Sequence, residues 1–138
     1  MSDCDDNCLF CKIIKGKVPS YKIYEDEYTY AFLDIAPSQE GHCLVIPKSH
    51  TKNLLTASEQ TVAQVMVAAQ KVSNHFVANC GYKGVRIGIN NEPCAGQVVL
   101  HWHVHVVPYY EDKPRAFHAK PIIPDEELGV LHTRLKMQ

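Results

Sequence analysis

"HWHVHVVP", residues 101–108, sets three histidines at every second position and fills the gaps with Trp102, Val104 and Val106. Successive side chains of a β-strand point to opposite faces and rise about 3.3 Å per residue, so His101, His103 and His105 are expected on one face, about 6.6 Å apart. Trp102, Val104 and Val106 then face the core. Val98, Val99 and Leu100 before the row, and Val106 and Val107 within it, extend the strand reading, and Pro108 is the expected end of pairing. A strand with one dry face and one imidazole face is the element around which the other segments are arranged.

Outward from that row, "GVRIGIN" alternates as a strand and "NEPCAGQ" is a loop. "YKIYE" and "TYAFLDI" read as a hairpin, and "GHCLVIP" as a strand opened by Gly41 and closed by Pro47. Between these groups, Val62, Val65, Met66, Ala69, Val72, Phe76 and Val77 repeat at helical spacing. Thr56 with Glu59 resembles a capping box, Ser58 is an alternative cap, and Gly81 stops the helix. Residues 9–14 suggest a short helical turn ended by Gly16, and "DEELGVLHTRLKM" a terminal helix weakened by Gly129. "KPRAFHAKPIIP" resists regular structure. These elements predict one α+β domain over residues 1–138: an antiparallel sheet of about five strands with one long helix and shorter terminal helices. Residues 1–7 are expected to be flexible, and residues 109–138 to form a tail and helix.

A net charge of −1 with 21% charged residues excludes a basic surface for polymeric nucleic acid, and no apolar run is long enough to cross a membrane. The acidic N-terminus has no secretion signal, so an intracellular, cytoplasmic location is expected, with the six cysteines as thiols or metal ligands. Cys8 and Cys11 have the spacing of a zinc ligand pair, although a CxxC can also be a redox pair. The row itself could bind a hydrolytic zinc, or be a merely polar face. Two thiolates need two more donors, and His50 and His101 are the partners of choice for a closed, structural Cys2His2 site, leaving His103 and His105 for chemistry. His42, inside the predicted strand, is the less attractive ligand. His75, His118 and His132 are read as ordinary surface or helix residues.

With "CLFCKIIKGKVPS", "YAFLDIAP", "GHCLVIPKSH", "NNEPCAGQ" and "HWHVHVVP", the chain resembles the histidine triad (HIT) family over most of its length. It is similar to the nucleotide-binding branch whose bacterial-like members carry zinc on a Cys pair, the histidine after "PK" and the first triad histidine, here Cys8, Cys11, His50 and His101. The resemblance implies a hydrolase or adenylyl-type transferase acting on purine nucleoside phosphoramidates. His103 would attack the α-phosphate to form a nucleotidyl-histidine intermediate, and His105 would steady the phosphate oxygens. It further implies that Asp34 accepts the ribose hydroxyls, that Asn90, Gly96, Gln97 and Val98 border the phosphate, and that Leu9, Phe10, Ile13, Phe32 and Ile35 wall the purine. A homodimer paired through the long helix and a sheet edge is also implied. Dinucleoside polyphosphate cleavage is a different reading within hydrolases, and Val98, where the family often has serine, is the best support for the further alternative, a catalytically weak protein that binds AMP or GMP. Trp102 and the C-terminal tail are candidates for substrate choice.

Overall fold

The computed structural model describes residues 4–110 and 122–137. In chain order it contains α1 (Leu9–Ile14), β1 (Lys22–Glu25), β2 (Thr29–Leu33), β3 (Cys43–Pro47), α2 (Glu59–Asn79), β4 (Gly84–Gly88), β5 (Val104–Tyr109) and α3 (Asp125–Leu135). The strands form one sheet in the order β1-β2-β3-β5-β4, every neighbouring pair antiparallel. Among the described residues no helix is long and apolar enough to cross a membrane.

Strand parity divides the interior in two. Ala31, Leu33, Cys43, Val45, Val104 and Val106 point to one face, where Val65, Ala68, Ala69, Val72 and Phe76 of α2 cover them. Tyr30, Phe32, Leu44 and Ile46 point to the other face and pack against Phe10, Cys11 and Ile13 of α1. One face of the sheet is thus sealed by the long helix, while the other is only partly covered, and there a cleft remains.

Several expectations are corrected. The strand around the histidines starts at Val104; residues 98–103 are irregular, with Val98 89% exposed. Only His105 of the row lies in the ladder, opposite Leu44 and Gly88. Pro108 does not end pairing but sits opposite Val85. The β3 ladder reaches only Val106, and Pro108 O accepts Gln39 Nε2 at 3.0 Å on that side, so its missing N–H faces no strand partner. Trp102 is fully buried in the α2-side core and is not at the cleft. The cap of α2 is Ser58, whose Oγ accepts Thr61 N at 3.1 Å, while Thr56 closes a 3-10 turn over Leu54–Thr56. Val77 lies on the solvent side of α2, and Val62 and Met66 are half-buried at its margin.

Of residues 1–7, read as flexible, residue 4 donates its thiol to Lys48 O at 3.0 Å and Asp5 O accepts Cys8 N at 3.0 Å. Most of "KPRAFHAKPIIP", with His118, lies outside the described residues. The other two minor histidines dock α3: His75 Nε2 donates to Leu135 O at 2.8 Å and His132 Nε2 to Lys22 O at 2.6 Å.

Candidate functional site

Cys8 caps α1 and Cys11 follows one turn later, so the two sulfurs face the same way, toward the end of β3 and the start of the histidine segment. One donor atom from each of Cys8, Cys11, His50 and His101 lies within 4.8 Å of the others. Cys8 Sγ is 3.2 Å and Cys11 Sγ 3.6 Å from His101 Nδ1, and Cys11 Sγ is 3.7 Å from His50 Nδ1. A tetrahedral zinc with its usual bond lengths sets sulfur and nitrogen ligands about 3.6 Å apart, so the four residues have the size and shape for that ion. His101 Nε2 donates to Pro47 O at 2.8 Å, which fixes the tautomer and leaves Nδ1 as the ligand atom. Burial pushes the His101 pKa down to about 4, the neutral form a metal needs, and pushes the Cys11 thiol up. A dication is the charge that would stabilise two thiolates there.

His103 and His105 stand on the same side of the sheet, ring centres 5.0 Å apart, with Phe10 edge-on to His103 at 5.2 Å. Their protons can be placed from the partners. His103 Nδ1 lies 2.8 Å from His101 O, a pure acceptor, so Nδ1 carries the proton and Nε2 the lone pair. Ser38 N–H donates to His42 Nδ1 at 3.0 Å, so His42 carries its proton on Nε2. That proton is shared with His105 Nδ1 at 2.9 Å, so His105 presents N–H at Nε2. One imidazole therefore offers an electron pair and the next a proton.

Burial is the leading cause that depresses the pKa of His42, His103 and His105, the last to about 3. The Asp34 carboxylate, 3.8 Å from His42 Nε2, pulls the other way on His42 and His103 without reversing the shift. Asp34, His42 and His105 are also close enough to surround a metal ion. The Ser38 amide already uses the Nδ1 lone pair of His42, so metal at Nε2 would require an imidazolate; a proton fits this group better.

These side chains open on a cleft of about 450 Å³. Leu9, Phe10, Ile13, Phe32, Asp34, Ile35, Asn90, Gly96, Val98, His103 and His105 all line it, and no Lys or Arg among the described residues does. Gln97 is not brought there. It is buried beneath the loop, where its amide donates to Lys52 O at 2.6 Å and Val99 O at 3.0 Å and accepts from Glu92 N at 2.8 Å and Asn53 Nδ2 at 3.2 Å. These bonds hold Glu92 at a φ of 80°, the left-handed region disfavoured for a side chain. They also hold the turn at Gly96, φ 97°, against Asn90.

Sequence reasoning missed His42, Ser38, Asn53 and Glu92. The signal for His42 was present: in "GHCLVIP", His42, Leu44 and Ile46 share parity, which puts His42 on the imidazole side. The others act through loop hydrogen bonds that leave no periodic trace.

A family model described as HIT domain matches residues 15–112. Protein hit of Bacillus subtilis is 42% identical over 107 residues, covering 78% of this chain and 74% of that protein. Adenylylsulfatase HINT3 of Arabidopsis thaliana is 37% identical over 110 residues, covering 80% of this chain and 56% of that protein. The crystal structure of a Zn-bound histidine triad family protein from Mycobacterium smegmatis superposes with a TM-score of 0.80 at 36% identity, covering 94% of this chain and 93% of that one.

Proposed function

The chain belongs to the HIT domain family, and on that premise we propose that it is a nucleotide-binding hydrolase that cleaves nucleoside phosphoramidates or related nucleotidyl bonds at the α-phosphate through His103. The observation that carries this reading is the 2.8 Å bond from His103 Nδ1–H to His101 O, which leaves Nε2 with its electron pair toward the cleft. Burial keeps that imidazole neutral, so it attacks without first losing a proton. The Nε2–P bond forms as the P–N bond to the leaving amine breaks, the amine taking a proton from solvent; water then attacks the phosphorus, the N–P bond breaks, and the water's proton passes to solvent as the neutral imidazole returns. His105 Nε2–H donates to a phosphate oxygen as charge builds there.

Asp34 accepts the ribose hydroxyls, Leu9, Phe10, Ile13, Phe32 and Ile35 enclose the purine, and Asn90, Gly96 and Val98 border the phosphate. Gln97 acts from beneath by holding the loop. Cys8, Cys11, His50 and His101 hold a zinc ion, which when bound cross-links α1 to the histidine segment and takes no part in the chemistry. Two copies pair through α2 and the β4 edge, which exposes Ile87 beside the open strand, with Val67 and Val77 exposed on α2. The Arabidopsis relative named an adenylylsulfatase supports hydrolysis. The cation-free cleft disfavours dinucleoside polyphosphates, whose extra charges would find no partner among the described residues. Exposed Val98, with no hydroxyl, favours the second reading, a protein that binds AMP or GMP and turns over slowly.

Steady-state hydrolysis of a fluorogenic adenosine 5′-phosphoramidate by the wild type and His103→Ala, each checked for zinc, tests the proposal. The wild type should turn over and the variant should not, at equal zinc and with AMP still bound. AMP binding without turnover in the wild type would leave the binding protein as the better reading.

A further inference from the structure

α3 lies outside the residues matched by the family domain, yet it is built into the same body. Leu128 and Leu135 are buried in the main core, Met137 N donates to Ile23 O at 2.9 Å, and Tyr21 donates to Asp125 Oδ1 at 2.9 Å. Those contacts dock the helix on β1. Two others do not serve docking on the sheet and reach instead to residues 34–41, the segment between β2 and β3 that forms one wall of the cleft.

At the near end of that segment, Ile123 N–H donates to Ile35 O at 2.9 Å, one residue from Asp34. At the far end, Arg134 Nη2 donates to Glu40 Oε1 at 2.6 Å, and Glu40 also accepts from Tyr82 at 3.4 Å and Tyr110 at 3.2 Å. Between these anchors the segment carries its own bonds: Asp34 N to His42 O at 2.9 Å, Ala36 N to Asp34 Oδ1 at 2.9 Å, and Ser38 N to His42 Nδ1 at 3.0 Å. Ile35 is 49% exposed, so its own burial does little to fix the wall. The far end has no slack, since at Gly41, φ 89°, an added Cβ would come within 2.7 Å of the Tyr82 hydroxyl and 2.8 Å of Pro108 Cγ.

We propose that α3 and the residues leading into it are a positioning element of the nucleotide cleft: the Ile123 amide, two residues before the helix, and the Arg134 guanidinium on it hold residues 34–41 from outside and so set the Asp34 carboxylate for the ribose hydroxyls. The inference rests on the reading of Asp34 as the ribose acceptor. Holding a carboxylate in place contributes to recognition by removing the cost of ordering it when ligand binds.

Ile123→Pro deletes the amide proton at a position that already precedes Pro124 and therefore already favours extended backbone. Ile123→Ala loses the side chain but keeps the proton. The dissociation constants of AMP and 2′,3′-dideoxy-AMP are measured for wild type, both variants and Arg134→Ala, together with melting temperatures. The wild type should prefer AMP. Ile123→Pro should lose about fivefold of that preference, the worth of one ordinary hydrogen bond, with Ile123→Ala unchanged and Arg134→Ala shifted in the same direction. Ile123→Pro and Arg134→Ala that melt lower yet keep the full preference would overturn the inference alone. A wild type that binds both nucleotides alike would overturn the ribose reading of Asp34 and the inference with it.

Discussion

Replacing His42 by phenylalanine removes the proton that fixes His105. In the structure His42 Nε2–H reaches His105 Nδ1 at 2.9 Å, and the Ser38 amide compels that tautomer from the other side of the ring. Phenylalanine fills the space of the imidazole, which is 4% exposed, but donates nothing. His105 then distributes its proton between Nδ1 and Nε2, and the Nε2–H aimed at the phosphate is lost for part of the population. Losing a preorganised donor to a developing oxyanion outright costs about 10²–10³ in kcat, but the molecules that keep Nε2–H stay competent, so kcat should fall only in proportion to the lost tautomer, about twofold to fivefold. KM should stay within about threefold, because the donor acts on charge that develops after binding. His42→Gln, whose amide nitrogen supplies a donor, should recover part of the loss. The assay is steady-state phosphoramidate hydrolysis, paired with ¹⁵N spectra of His105, which should change from a single Nε2–H tautomer to a mixture. Unchanged kcat in His42→Phe, or a fall in kcat with His105 still a pure Nε2–H tautomer, would refute the reasoning.

Val98→Ser should raise turnover of a phosphoramidate, since it sets a hydroxyl at an exposed position of the cleft lining; no gain in steady-state rate would reject a role for that position. His42 and His105 have depressed pKa values in the fold, so as pH falls below about 6.5 the unfolded chain takes up their protons first. Stability is therefore full above that pH and declines as pH falls toward the folded value of about 3 for His105, and the urea midpoint should be lower at pH 5 than at pH 7.5; equal midpoints would contradict the neutral imidazoles. Chelation should lower the melting temperature of the wild type and leave Cys11→Ser little changed, because the variant has already lost the site; equal losses in both would argue against zinc at Cys8, Cys11, His50 and His101.

The sheet and the long helix were legible because their signals are periodic. Parity in "TYAFL" and "CLVIP", and the spacing of Val65, Ala69, Val72 and Phe76, decide which faces are dry, and burial then follows. The histidine row holds less strand than its residues suggest, since β5 begins only at Val104. Val98, Val99 and Leu100 are good strand formers, but the bonds of Gln97 to Lys52 O and Val99 O, and of Trp102 N to Thr51 O, hold residues 97–102 in a path that pairs with no strand. Local β-propensity yields there to side-chain bonds from Gln97. The Cys8–Cys11 pair was readable from its spacing on one helical turn, and the fold brings His50 and His101 within reach of it as a group that could hold a metal ion. His42 is a poor zinc ligand by position; its partner is His105, sixty-three residues later, and only the β3–β5 register brings the two together. One of the two contacts that hold residues 34–41 is the Ile123 amide just before α3, a group every non-proline residue carries, so no sequence pattern could announce it.

The claim most in need of a direct test is that His103 Nε2 attacks phosphorus itself. A phosphoramidothioate substrate of defined configuration at phosphorus, hydrolysed in H2¹⁸O, reports this in one measurement. Two successive in-line displacements, first by His103 and then by water, give net retention of configuration, and retention is the result expected. Inversion would mean a single displacement by water, with no nucleotidyl-histidine intermediate, and would contradict the role assigned to His103.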